Sequence, residues 1–233
     1  MKKILISILI LCSAGLTVFS QTVKGKVSVD ARQDLLSVLP SEVSYFLPHF
    51  EDATVFFTDG KASSGKVNIC QVDNSVRFIH STGDTLLLSS QDRVLRIQAA
   101  DTLILKTEDY FVKQIAVYGK TSLAERRRLT LDTGEEKQGG YGALPPTSTA
   151  LEGKLTSIDP SRQFEFKTDI SYTLRKDYIL TDGEKVYPAS TSSFIKFFPD
   201  KKKEIRSYVK THKTDFKNKA SLAQLFLFCA EQQ

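Results

Sequence analysis

Residues 164–174 read FEFKTDISYTL, and their side chains divide strictly by parity. Phe164, Phe166, Ile170, Tyr172 and Leu174 fall on one side, joined by Thr168. Glu165, Lys167, Asp169, Ser171 and Thr173 fall on the other. A period of two belongs to a strand with one buried and one wet face. Such strands build antiparallel sheets, since parallel strands are covered on both faces and read as continuous apolar runs. Most of the chain has to be compatible with that sheet.

Much of it is. In VFFTDGKASSGKVNICQV (55–72), Asp59-Gly60 lies between apolar runs, the signature of a hairpin. Asp73-Asn74, Thr82-Gly83-Asp84 and Asp182-Gly183 mark further reversals, and Lys176-Asp177 is expected to be another. YFVKQIAVYG (110–119) and LAERRRLTLD (123–132) read as strands; alternation turns Arg127 to the opposite side from Arg126 and Arg128. NSVRFIHSTGDTLLL (74–88) resembles DRVLRIQAADTLIL (92–105). Two copies are too few for a solenoid, so consecutive hairpins of a meander are expected. Before the strands, Pro40 and Pro48 forbid one long helix over 30–52, and Ser41 is placed as the cap of a short turn holding Val43, Tyr45 and Phe46.

The ends differ from the middle. MKKILISILILCSAGLTVFS has a basic start at Lys2 and Lys3, an apolar core, and small residues at Val18 and Ser20 before Gln21. That is the pattern of a cleaved secretory signal peptide over 1–20, whose apolar core is short for a membrane span of ~20 residues. Leu9, Ile10 and Leu11 before Cys12 argue against lipidation there. Residues 21–233 then form a single β-rich domain, large enough for a sizeable core. Export permits a disulfide between Cys70 and Cys229, while their apolar settings suit two buried free thiols. From Ser190 the period becomes helical. Asp200 is placed as N-cap of a helix carrying Ile205, Tyr208, Val209 and His212 on one stripe. A second helix carries Leu222, Leu225, Phe226 and Cys229. The expected class is α+β: a mainly antiparallel meander, curved or in two sub-sheets, with a C-terminal helical hairpin (within 190–233) packed on it.

Charge is uneven. The full chain carries +5, or +3 without Lys2 and Lys3. Residues 196–219 hold nine Lys or Arg against three Asp or Glu, whereas residues 21–195 hold 21 against 23. Lys201, Lys202, Lys203 and Arg206 are therefore candidate contacts for envelope lipid headgroups, polysaccharide or another envelope protein, against the plainer reading of a solvated helix face. Nucleic acid is set aside because the leader exports the chain. The internal loop at 134–153 contains GGYGALPPTST, which lacks apolar periodicity. Tyr141 there either stacks on a ligand or pins its loop.

Taken in order, YFLPHFEDATVFFTDGKASSGKVN, VRFIHSTGDTLLL, GGYGALPPTST and FFPDKKKEIRSYVKTHKTDFKN resemble a family of uncharacterised secreted or periplasmic proteins from Bacteroidota. The resemblance rests on a Gly–Val–Asn motif, closest to Gly65, Val67 and Asn68, on a Tyr–Gly loop at Tyr141-Gly142, and on the basic helical pair. It implies a location in a Gram-negative cell envelope, periplasmic or secreted, and no activity. The residues point the same way. There are three histidines, no H-E-x-x-H, no G-x-S-x-G and no phosphate-binding glycine loop. Adjacent carboxylates such as Glu51/Asp52 do not face each other across a substrate as acid–base pairs do. No catalytic residue, metal ligand or cofactor is assigned. The expectation is a non-catalytic binding or scaffolding module. The alternatives are a carrier of lipid or another apolar ligand in a half-barrel-like sheet, and a hydrolase with an unrecognised site. If the leader is cleaved as expected, N-terminal sequencing of protein recovered from cells begins at Gln21.

Overall fold

Eleven antiparallel strands form one sheet, and each turn between them has a local cause. The structure, a computed structural model, describes residues 22–108, 110–132 and 166–231. Residues 1–20, expected to be a signal peptide, and the loop 134–153 with Tyr141 lie outside these residues. The strands are β1 (Thr22–Val29), β2 (Glu51–Phe57), β3 (Ala62–Cys70), β4 (Ser75–Ile79), β5 (Thr85–Leu87), β6 (Val94–Ala99), β7 (Thr102–Lys106), β8 (Phe111–Tyr118), β9 (Thr121–Asp132), β10 (Thr168–Thr181) and β11 (Val186–Pro188). Gly60, Gly83 and Gly183 take positive φ at three of the expected reversals, and Asn74 does so at the fourth. Helices α1 (Leu35–Val38) and α2 (Ser41–Ser44) precede β2; α3 (Thr191–Phe197), α4 (Lys202–Thr211) and α5 (Lys219–Glu231) follow the sheet. The α+β class is as expected.

The strand order is β1-β10-β9-β8-β7-β6-β2-β3-β4-β5, with β11 on β10 beside β1. The meander is therefore broken twice, where β1 joins β10 and where β6 joins β2. After β5 the chain crosses back and β6 pairs with β2, so the two similar hairpins, β4–β5 and β6–β7, are not neighbours. Gln91 holds the crossing. Its amide accepts from Val76 N at 2.8 Å and donates to Val76 O and Leu88 O at 2.8 Å each, taking the place of a ladder partner where β5 ends.

Three local expectations are corrected. Lys176-Asp177 does not reverse the chain; β10 runs through it, with Lys176 opposite Arg127 and Asp177 opposite Arg126. The dipeptide has no glycine to open a turn, and Arg126 takes the Asp177 carboxylate across the ladder. Phe166 is 77% exposed rather than buried, because β1 and β9 give β10 no partner before Thr168. Ser41 and Asp200 are not N-caps. Pro40 precedes α2, and a 3-10 turn over Pro199–Lys201 leads into α4. β1 is an addition: Val23, Gly25, Val27 and Val29 alternate with Lys24, Lys26 and Ser28 in the sequence, and they pair with β10.

Register sorts the two faces. Ile170, Tyr172, Leu174, Tyr178 and Leu180 of β10 share the inner face with Leu131, Leu129 and Leu123 of β9. This face closes around the chain's own segment 35–47. One cluster joins Leu35, Leu39 and Val43 to Cys70 and Val72 at the end of β3, and to Leu131, Ile170 and Val29 of β9, β10 and β1. Four strands separate β9 from β3, a distance of ~24 Å in a flat sheet. Phe46 alone spans them: its N–H donates to Ile69 O at 2.9 Å, and its carbonyl accepts from Arg127 Nη1 at 2.7 Å. The sheet must curl. Beside this plug, α3, α4 and α5 cover Leu123 and Leu180 with Phe194, Ile205, Leu222, Leu225 and Phe226.

The plug has few ladder bonds of its own, so side chains supply them. Asn68 accepts from Leu47 N at 2.9 Å and donates to Leu47 O and His49 O at 3.0 Å each. Gln71 donates to Val43 O at 2.9 Å and Tyr45 O at 2.8 Å. Asn68→Ala removes the side-chain partner of four backbone groups, the Leu47 N–H and C=O, the His49 C=O and the Ile69 N–H, and is expected to cost about 3 kcal/mol. Urea unfolding should show a lower midpoint at unchanged m. Gly25 faces Tyr172 across β1–β10, and a Cβ there would lie 2.2 Å from the Tyr172 hydroxyl. Gly25→Ala is therefore expected to lose about 1–3 kcal/mol in the same measurement.

Candidate functional site

The basic C-terminal region divides by helical geometry. At 100° per residue, Lys202, Arg206, Lys210 and Lys203 of α4 fall within an arc of about 100°, and all four are exposed. Ile205 is fully buried on the other side, with Tyr208 and Val209 packed beside it. Tyr208 stacks between His212 and Phe228, at ring-centre distances of 4.0 and 4.5 Å. Glu204 is the one acid of α4. Lys202, Lys203 and Arg206 thus form one exposed cationic face.

Lys201 does not join it. The residue is buried, and its ammonium donates to Cys229 O at 2.5 Å. That carbonyl lies in the last turn of α5, where helix carbonyls lack intrahelical donors and the dipole favours a cation. The spacing held this signal: Lys201, Ile205, Tyr208, Val209 and His212 follow i, i+4, i+7, i+8, i+11. A lysine on the apolar arc points inward, whatever its neighbours do.

The second basic cluster divides as the alternation of β9 requires. Arg126 faces outward. It grips Asp177 through Nε at 3.0 Å and Nη2, donates to the Tyr110 hydroxyl at 3.0 Å, and lies 5.2 Å over that ring. The Asp177 hydrogen bond raises its pKa well above the ordinary arginine value. Arg128 shares Asp177 at 3.3 Å. Arg127 faces inward, on Glu125 at 3.0 Å and over the Phe46 ring at 4.8 Å. These arginines brace the sheet and the plug.

A cleft of about 220 Å³ lies between the β8–β9 turn and the end of α3, lined in part by Tyr118, Lys120, Phe197, Phe198, Asp200 and Lys201. It is smaller than the ~300–1,000 Å³ usual for ligand sites, and no histidine, cysteine or serine lines it. The three histidines are dispersed: His49 lies 3.8 Å from Glu51, His80 bonds Thr82 in the β4–β5 turn, and His212 stacks on Tyr208. Among the described residues no group of three His, Cys, Asp or Glu could hold a metal ion, and no helix is long and apolar enough to cross a membrane.

Comparison with family models, curated proteins and solved structures returns no match to this chain.

Cys70 and Cys229 are free thiols, buried in different clusters. Burial is the main cause that pushes Cys70 up to about 12, with Asp73 adding to it; burial pushes Cys229 up to about 11 against the opposing Lys201 charge. Both folded thiols keep their protons above the ordinary value of 9.0. The unfolded chain then binds fewer protons, so stability falls as pH rises from about 9 towards about 11, by about 1.4 kcal/mol per pH unit for each thiol. A urea midpoint series across that window checks the slope. A disulfide-exchange reagent should reach neither Cys70 nor Cys229 in the native protein and both after unfolding.

Proposed function

We propose that this chain is an exported cell-envelope protein that acts by binding or scaffolding rather than by catalysis. Its contact with an anionic envelope surface runs through Lys202, Lys203 and Arg206. One observation carries the reading: the apolar stretches of the inner face of the curled sheet are covered by residues 35–47 and by α3–α5, while the cationic arc of α4 is left outward. A carrier would offer that inner face to an acyl chain; here Leu35, Leu39, Val43 and Phe46 occupy it. The leader-like residues 1–20 and the resemblance to envelope proteins of Bacteroidota support the location. A single exposed cation contributes ~1 kcal/mol near an anionic surface, so three acting together are enough for reversible attachment. Attachment of this kind weakens as salt shortens the reach of each charge.

Co-sedimentation with vesicles tests the reading. The chain from Gln21 is expected to pellet with phosphatidylcholine–phosphatidylglycerol vesicles and not with phosphatidylcholine alone, and to be released by added salt. Lys202→Gln, Lys203→Gln and Arg206→Gln combined should weaken that binding about a hundredfold, the sum of the three charges. Equal binding by this variant, or indifference to lipid charge, would overturn the assignment of α4 as the contact.

A further inference from the structure

Between the plug and the C-terminal helices, the inner face carries a belt of polar side chains instead of apolar ones. β8, β9 and β10 contribute Lys113, Glu125 and Tyr178 to one row of this belt, by register. The next row sets Arg127 directly opposite Lys176. All five side chains are partly buried, with Glu125 14% and Arg127 19% exposed. The aromatic ring of Phe46 closes one end. Tyr178 and Asp215, whose charge helps raise the tyrosine's pKa after burial and Glu125, stand at the other.

The charges in this belt do not balance. Arg127 is committed to Glu125 and to Phe46 O. Lys113 and Lys176 make no hydrogen bond or ion pair among the described residues, and Glu125 serves Arg127 rather than either lysine. Like charges directly opposite on neighbouring strands are destabilising, and a half-buried setting strengthens the repulsion. A sequence that breaks a local rule without compensation among the described residues points to a site that takes a partner from outside. The lysines suit one guest between them. Two strand spacings sideways and two residues along put their Cα atoms ~12 Å apart, and each side chain reaches ~6 Å.

We propose that Lys113 and Lys176, with the remaining donor of Arg127, form a binding site for a tetrahedral oxyanion, a phosphate or sulfate group, on the inner face of the sheet. Ammonium and guanidinium donors converging on such a group make charge-assisted hydrogen bonds, stronger than neutral ones. The site is separate from the α4 arc, on other elements, and does not depend on it. The group is either a free ion or the end of a larger molecule.

Thermal unfolding and calorimetric titration test this on the chain from Gln21. Inorganic phosphate is expected to raise Tm saturably beyond chloride of equal ionic strength, as a ligand of the folded state does. Lys113→Gln with Lys176→Gln should lower phosphate affinity about tenfold or more. Its Tm in dilute chloride should match or exceed that of the parent, because a repulsive pair is gone. Lys66→Gln, at an exposed lysine outside both sites, should leave phosphate affinity unchanged. Tighter binding of glycerol phosphate than of inorganic phosphate marks the end of a larger molecule; equal binding marks the free ion. No saturable effect of either compound, or an equal effect in the Lys113/Lys176 variant, would overturn the proposal.

Discussion

Irregular backbone inside a sheet is tolerable only if something satisfies its polar groups, and here two side-chain amides do so. Residues 42–49 enter the curled sheet with few ladder bonds. Asn68 and Gln71, both buried on or beside β3, answer that deficit. Because those groups are satisfied, Leu35, Val43, Phe46 and Leu47 can bury apolar surface at roughly 1.5–3 kcal/mol for each large side chain. Those buried side chains then tie β1, β9 and β10 to β3 across the sheet. Curvature, a filled interior and the pinned Arg127 all follow from an amide replacing a missing strand.

The sheet was legible in the sequence to the extent that periodicity and turn chemistry are local. The hairpin turns at Asp59-Gly60, Thr82-Gly83 and Asp182-Gly183 depend on one residue's φ, and they lie where glycine places them. The amphipathic stripes of α4 and α5 depend on spacing within two turns; all four stripe residues of α5 are buried, whereas on α4 Ile205 is buried, Tyr208 and Val209 are half-buried and His212 is exposed. Pairing partners are different in kind. Nothing local tells β6 to join β2 rather than β5; that choice rests on Gln91 closing the edge of β4 from fifteen residues away. Lys176-Asp177 looks like a turn until Arg126, fifty-one residues earlier, supplies the counter-charge that keeps it in a strand. Of the candidate site, the exposed arc of Lys202, Lys203 and Arg206 could be read from α4 alone. The inward turn of Lys201 was present in the same spacing but masked by a run of three lysines. Asn68 could be singled out only as a polar residue in an apolar strand end.

Three settings of positive charge among the described residues behave differently. On α4 it meets water. At Arg126 and Arg127 it is used up by carboxylates, a hydroxyl, a carbonyl and aromatic rings. At Lys113 and Lys176 it is held in a half-buried belt without a counter-ion among the described residues. A surplus in water says little about function, whereas a surplus held away from water costs stability unless something balances it.

The pairing of β1 with β10 also sets a temporal order. Residues 22–29 find their partners at 168–175, so this strand waits for one made far later. Until then its edge is open to the wrong neighbour, and Lys24 and Lys26 on its wet side are the kind of charge that discourages such mispairing. Pairing so remote in sequence delays the closure of this edge relative to the local hairpins.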